Sequence, residues 1–248
     1  SRVSKYAELT SRAWYYIEVF ADPNDENTVY VLSARTFRSI DGGKTWERIS
    51  SGHGDYHDLW INPKNSKNMI ISDDGGGEIT FDNGNSWSSI NIMPTAQFYR
   101  VNVDNLFPYN LYGGQQDNST VKIASIGSRG GISQSDWSAS AGGESAFLAF
   151  DPDDPQLVMG GSYLGSVNIY DTKAKARKKV MIEPINYIGK ASRDMKYRFN
   201  WNAPIIWSQH ESNTFYHAAQ HLFKTKDFGK SWEVVSPDLT MDEDEKQG

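Results

Sequence analysis

Ser39-Ile40-Asp41-Gly42-Gly43-Lys44-Thr45-Trp46 has two further copies in this chain, Thr80-Phe81-Asp82-Asn83-Gly84-Asn85-Ser86-Trp87 and Thr225-Lys226-Asp227-Phe228-Gly229-Lys230-Ser231-Trp232. The shared pattern is Ser/Thr-x-Asp-x-Gly-x-x-Trp, and each copy reads as a tight hairpin between two strands. The Asp carboxylate accepts from turn N–H groups, the Gly takes the positive φ such turns often need, and the Trp opens the next strand by burying its ring. Asp41, Gly43 and Trp46, Asp82, Gly84 and Trp87, and Asp227, Gly229 and Trp232 are therefore structural positions. Three copies of one hairpin indicate a repeated supersecondary unit.

Aligned on these hairpins, the flanking sequence repeats as well. An apolar strand ending near Asp/Asn-Pro precedes a second strand, then the strand leading into the hairpin, then the strand after Trp. The first unit reads as strands at 14–22, 28–34, 36–41 and 46–50, and the second at 57–62, 68–72, 78–82 and 87–92. The third keeps strands at 97–104, 110–114 and 120–126 with a decayed hairpin. The fourth has 146–152, 157–161 and 166–171 with a Lys/Arg-rich hairpin at 173–179, and the fifth runs through 199–208, 214–219, 221–227 and 232–236. Landmarks at the ends of the first strands are Asp22, Asn62, Asp104, Asp151 and Ser208. This spacing suits four-stranded antiparallel blades of an all-β propeller, and no segment carries a 3.6-residue apolar period.

The expected organisation is a preceding blade end or linker at 1–10, five blades at 11–50, 57–92, 97–140, 145–183 and 197–236, and a polar exit at 237–248. The fifth unit supplies four strands of its own, so the expectation is an arc continued by further blades or a partner chain, rather than a closed ring of five. An uncovered blade face would be a sizeable apolar patch.

Composition sets the bounds on function. Of 248 residues 38% are hydrophobic and 13% aromatic, with 8 Trp and 13 Tyr, which suits sheets packed face to face. Twenty-five basic against thirty-one acidic residues give a net charge of −6, which argues against general nucleic-acid affinity. No apolar run is long enough for a membrane-spanning helix. The first residues do not read as a signal peptide, so any targeting segment was removed or lies outside this chain. With 0 Cys, disulfides and thiolate metal sites are excluded, and no cofactor or metal is expected.

In a propeller, the loops preceding each first strand and those joining second to third strands share one face, and here they are polar. They are 52–58 with His53, Asp55 and His57, 73–77 with Asp73 and Asp74, 113–118 with Gln115, Gln116 and Asp117, 142–145 with Glu144, 160–163 with Tyr163, and 220–221. Gly, Asp and Asn are also ordinary turn formers, yet Gln115-Gln116-Asp117-Asn118 and His53-Gly54-Asp55-Tyr56-His57 exceed what a turn requires. Asp73, Asp74, Asp117 and Glu144 are candidates for the two carboxylates of a glycosidase, one acid and one base or nucleophile. His53, Asp55 and His57 alternate as metal ligands on an extended strand would, but no second cluster completes a set. Arg35, Arg100 and Arg198 invite comparison with a carboxylate-binding arginine cluster, but no Arg-Ile-Pro segment accompanies them and arginines on strands commonly form surface ion pairs; Arg198 is kept as a ligand-binding candidate. The basic run Lys173, Lys175, Arg177, Lys178 and Lys179 reads as a solvated edge that discourages sheet aggregation.

The three hairpins resemble the Asp-box, or BNR, motif of sialidases, sortilin and several propeller glycoside hydrolases. Beyond them, His57-Asp58-Leu59-Trp60-Ile61-Asn62-Pro63, Pro94-Thr95-Ala96-Gln97-Phe98-Tyr99, Gln115-Gln116-Asp117-Asn118-Ser119-Thr120 and Lys196-Tyr197-Arg198-Phe199-Asn200-Trp201 resemble bacterial exported proteins of the sortilin-like or glycosyl-hydrolase-like BNR-repeat group. That resemblance covers nearly the whole chain. It implies the middle of a longer propeller of about ten blades, an exported location, and hairpin motifs that sit away from the active face. The expected function is a binding or scaffold propeller for a protein, peptide or glycan. The alternative is a polysaccharide-directed glycoside hydrolase using two carboxylates of the same face.

Overall fold

Antiparallel pairing between sequence neighbours builds the sheets of the computed structural model, which describes residues 3–49, 51–92 and 95–247. Ser50 at the expected end of the first blade, Pro94 of the resembling stretch, and residues 1, 2 and 248 of the expected terminal segments lie outside the described residues.

The chain divides into two compact units, Ser1–Thr95 and Ala96–Gly248. In the first, β1 (Glu18–Ala21), β2 (Val29–Leu32), β3 (Thr36–Ser39) and β4 (Glu47–Ile49) pair in that order, and β5 (Tyr56–Ile61), β6 (Met69–Asp73) and β7 (Gly76–Thr80) form a three-stranded sheet. In the second unit, β8 (Asn102–Val103), β9 (Asn110–Gly114), β10 (Thr120–Ala124) and β11 (Trp137–Ala139) make one sheet. β12 (Leu148–Ala149), β13 (Leu157–Gly161), β14 (Val167–Asp171) and β15 (Ala176–Lys179) make another, and β16 (Ile205–Trp207), β17 (Phe215–Ala218), β18 (Leu222–Thr225) and β19 (Glu233–Val234) the last. The all-β fold and its five meander sheets are those the repeat predicts, one of them a strand short.

Period-two alternation decides which face each side chain serves. In β2, Tyr30 and Leu32 join Tyr56, Leu59, Met69 and Ile71 of the next sheet in one core, while Val31 points the other way, to Phe37 and Leu9. In the second unit, Tyr112 packs with Leu148 and Val158, and Ala149, Met159 and Ile169 pack with Ile205 and Phe215. Within each unit, successive sheets thus stack face to face, as propeller blades do.

Two local devices recur. Each landmark at the end of a first strand accepts a backbone N–H two residues on: Asn24 to Asp22 at 2.8 Å, Lys64 to Asn62 at 2.9 Å, Leu106 to Asp104 at 3.3 Å, Asp153 to Asp151 at 3.0 Å and His210 to Ser208 at 3.3 Å. This bond bends the chain out of the strand with side-chain chemistry alone. The hairpins are equally uniform. The Thr80 hydroxyl accepts from Gly84 N–H (3.0 Å) and donates to Asp82 (2.8 Å), and Asp82 accepts from Ser86 N–H (2.9 Å) and hydroxyl (2.6 Å). Thr225, Asp227, Gly229 and Ser231 repeat these bonds, as do Ser39, Asp41, Gly43 and Thr45. The central glycines hold φ of 86, 81 and 77°. Donors lower the carboxyl pKa in each: the Ser86 hydroxyl and N–H take Asp82 to about 2, and the Ser231 N–H and hydroxyl take Asp227 to about 2.

Several expectations need correction. Residues 14 and 15 lie in a turn, closed by Tyr15 and Tyr16 N–H groups on the Arg12 carbonyl; Trp14 is 76% exposed and the strand starts at Glu18. Ala7–Thr10 is a 3-10 turn. The strand expected at 87–92 is absent, because the chain turns into a 3-10 segment at Ile90–Ile92. The decayed third hairpin is a long connection whose Ser133 and Asp136 form a capping box before β11, a strand the repeat did not reveal. Trp46, Trp87 and Trp232 are half-buried rather than buried, each resting one side on a core cluster.

Candidate functional site

The loops expected to carry function stand at one end of their sheets, and the structure sorts their residues into separate clusters.

In the first unit, Asp55 adopts φ 60° and receives Arg12 Nη2 at 3.0 Å and the Tyr16 hydroxyl. Arg12 Nε also donates to the Tyr16 oxygen at 3.1 Å, and its guanidinium lies 5.3 Å from both the Trp14 and Tyr16 ring centres. Burial raises the Tyr16 phenol pKa, with Arg12 opposing and Asp55 adding to the rise. His57 Nε2 donates to Asp74 Oδ1 at 2.6 Å, and its ring stands 4.7 Å from Tyr16. His53 Nδ1 donates to the Gly54 carbonyl at 3.1 Å. His53, Asp55 and His57 therefore turn to different partners. Among the described residues, no group of three His, Cys, Asp or Glu side chains is placed to hold a metal ion.

Asp73 is 8% exposed and closes its own turn, accepting Gly75 and Gly76 N–H at 2.8 and 2.9 Å. Burial raises its pKa against those donors, and nearby Glu78 adds to the rise. Glu78, 2% exposed, accepts the Gly52 N–H on both oxygens, at 3.0 and 2.8 Å.

The second unit holds the denser arrangement. Gln116 Nε2 donates to Asp117 Oδ1 at 2.9 Å and to Glu144 Oε2 at 3.1 Å, while its Oε1 accepts the Tyr99 hydroxyl. Glu144 Oε2 also accepts the Asp117 N–H at 2.8 Å. Trp201 Nε1 donates to the Tyr99 oxygen at 3.0 Å, and Tyr163 stacks on Trp201 with ring centres 4.8 Å apart and planes at 17°. The Ser145 hydroxyl ties Glu144's loop to the Trp201 carbonyl at 3.0 Å. Loops of three sheets thus meet in one network, with a partly exposed indole at its margin. Gln115 contributes backbone, its N–H donating to the Ser119 carbonyl at 2.8 Å. In these bonds the Asp117 and Glu144 carboxyl oxygens act as acceptors.

Arg198 is engaged elsewhere. Its guanidinium bonds Asp238 at 2.9 Å, Asp242 at 2.8 Å and Thr240 at 2.6 Å, which clamps the exit segment to the last sheet. Sequence reasoning missed Arg12, Tyr16, Tyr99 and Trp201 as site residues. The signal for Tyr16, Tyr99 and Trp201 was aromatic side chains in loop segments, and the last two lay inside the resembling stretches 94–99 and 196–201, whereas Arg12 carried none.

Fold and loops together define a class, an all-β protein of consecutive antiparallel meander blades with a polar, aromatic-edged loop cluster. No protein-family model matches the chain, and no curated protein does. Among solved structures it is similar to a GH74 enzyme from Niastella koreensis (13% identity, TM-score 0.38, covering 86% of this chain and 37% of that one). It is also similar to a GH74 xyloglucanase from Xanthomonas campestris (14%, 0.37, 89% and 38%) and to YCF48 from Cyanidioschyzon merolae (14%, 0.34, 84% and 69%). The chain spans well under half the length of the two GH74 structures. Nothing in the chemistry of the site rests on these likenesses.

Proposed function

We propose that the protein is a binding propeller that recognises a glycan through the second-unit network of Tyr99, Gln116, Asp117, Glu144, Tyr163 and Trp201. The observation that carries this reading is the Trp201 indole, stacked on Tyr163 and hydrogen-bonded to Tyr99, beside amide and carboxylate groups. An exposed aromatic face takes the C–H face of a sugar, and amide and carboxylate groups take its hydroxyls. One Gln116 Nε2 bonds both Asp117 and Glu144, filling the space between the two carboxyl groups where a glycosidase would hold the scissile bond. Binding without turnover is therefore favoured over hydrolysis. Export, the Asp-box kinship and a longer propeller completed by further blades or a partner chain belong to the same proposal, on the strength of the resemblance.

A glycan and peptide array probed with the whole chain tests it. The expected result is a glycan hit that Trp201→Ala weakens about tenfold, in line with loss of an aromatic anchor. Peptide hits alone, or a glycan hit indifferent to Trp201→Ala, would reject the assignment.

A further inference from the structure

The three sister hairpins differ in the course of the chain after Trp. Beyond Trp46, β4 pairs Glu47 with Arg38, Arg48 with Phe37 and Ile49 with Thr36. Beyond Trp232, β19 pairs Glu233 with Lys224 and Val234 with Phe223, and Leu222 is then met by Val235 N–H at 2.9 Å and by the Ser236 hydroxyl at 2.8 Å. The middle hairpin starts in the same way: Ser88 N–H donates to the Ile79 carbonyl at 2.9 Å, and Ile79 N–H donates to the Ser88 hydroxyl at 3.0 Å. Then the chain leaves. Counting back from the hairpin Asp, the position taken by Thr36 and Leu222 in the sisters is Gly77, two residues before Ile79. Alternation along a strand carries its N–H and C=O to the same open edge. Among the described residues nothing pairs with them.

Where the missing strand would run there is a groove of about 400 Å³, bordered by Gly52, Glu78, Trp87, Ser89 and Ile90. Two groups on its wall have unused capacity. Trp87 Nε1 is buried without a hydrogen-bond partner, whereas Trp46 Nε1 donates to the Gly43 carbonyl at 3.0 Å and Trp232 Nε1 to the Val180 carbonyl at 2.9 Å. A buried N–H without an acceptor is costly to keep, so its retention calls for an acceptor. The Glu78 carboxylate, 2% exposed, has one backbone amide shared across both oxygens and can accept more.

We propose that this groove receives an extended segment of another polypeptide, which adds as the fourth strand of the β5–β7 sheet. The register is set by the sisters. One residue of the incoming strand lies opposite Gly77 and exchanges backbone hydrogen bonds with it, and the preceding residue lies opposite Glu78. The residue opposite Glu78 stands beside its buried carboxylate, so a basic side chain is the one that fits there. A carbonyl of the incoming strand satisfies Trp87. Main-chain bonds of this kind supply affinity and the flanking side chain supplies specificity. The site lies in the first unit and shares no residue with the glycan-binding network.

The test is a titration of the whole chain with the synthetic peptide acetyl-Arg-Ile-Thr-Val-amide, followed by amide and indole NMR. Saturable shifts at the Gly77 amide and the Trp87 indole N–H are expected. The same peptide N-methylated on Ile, which keeps the protein unaltered, should lose binding. Trp87→Phe should weaken binding about fivefold, the worth of one hydrogen bond. Glu78→Gln should remove the preference for Arg over Gln at the first peptide position. No shift at Gly77 up to the peptide's solubility limit, or equal binding of the N-methylated peptide, overturns the proposal. So does concentration-dependent dimerisation through this edge without peptide, since the occupant would then be a second copy.

Discussion

Lowering the pH from 7 to 4 should destabilise the second unit through one residue, His217. The side chain is fully buried, stacked on Phe199 at 4.8 Å between ring centres and 6.1 Å from Trp232. Nδ1–H donates to the Pro204 carbonyl at 2.8 Å, and Nε2 has no partner. Burial lowers its pKa from the ordinary 6.5 to about 4, with the Pro204 bond opposing. The unfolded chain therefore takes up a proton near pH 6.5 that the folded chain refuses until about pH 4. Stability from this group is fully present above pH 6.5, falls through the interval and levels off below about 4. The shift corresponds to about 3 kcal/mol. His217→Gln keeps a donor for Pro204 and cannot titrate. It should cost about 1–2 kcal/mol at pH 7, since a buried amide oxygen is left unmatched. Denaturant unfolding of both proteins at pH 7, 5.5 and 4 reads the difference, which removes the contribution of carboxylates common to both. The stability gap should close and then reverse by pH 4. Parallel pH dependences would refute the reasoning.

Thr225→Val should lower stability by about 1–2 kcal/mol in chemical denaturation, because the Gly229 N–H loses its buried acceptor and Asp227 a donor. Asp82 and Asp227, held near pKa 2 by their donors, contribute stability above about pH 4 that fades as pH falls through 2. Hydrogen exchange at the Ser86 and Ser231 amides should accelerate over that interval. Gly160→Ala places a methyl against the backbone of Ala141 and Gly142 and should cost at least about 2 kcal/mol, whereas Gly131→Ala meets open space and should change thermal unfolding little.

Features closed by short-range interactions were legible in the sequence, and those made by long-range ones were not. Each hairpin turn is closed by side-chain bonds reaching no more than four residues, from Ser39 to Gly43 or Asp41 to Thr45, so the chemistry that closes it sits inside one eight-residue pattern. The strand-end turns at Asp22, Asn62, Asp104, Asp151 and Ser208 are shorter still. Strand lengths were less legible, because pairing stops where side-chain-closed turns begin: 199–208 reads as one strand but pairs only at Ile205–Trp207. The absent strand after Trp87 was hidden, since Ser88 starts it normally and the departure at Ile90 leaves no Pro or Gly signal. Of the loop network, Gln116, Asp117 and Glu144 could be singled out because polar loops at matching repeat positions stand out. Trp201 reaches Tyr99 across 102 residues, and no local pattern announces a contact that only sheet stacking creates.

The most direct measurement on the central claim is prolonged incubation of the protein with its array-selected glycan, tracking saturable binding and newly formed reducing ends in the same sample. Binding that saturates, falls with Trp201→Ala and yields no new reducing ends is the predicted result. Accumulation of reducing ends that Asp117→Asn or Glu144→Gln abolishes would contradict it and make the network a catalytic pair.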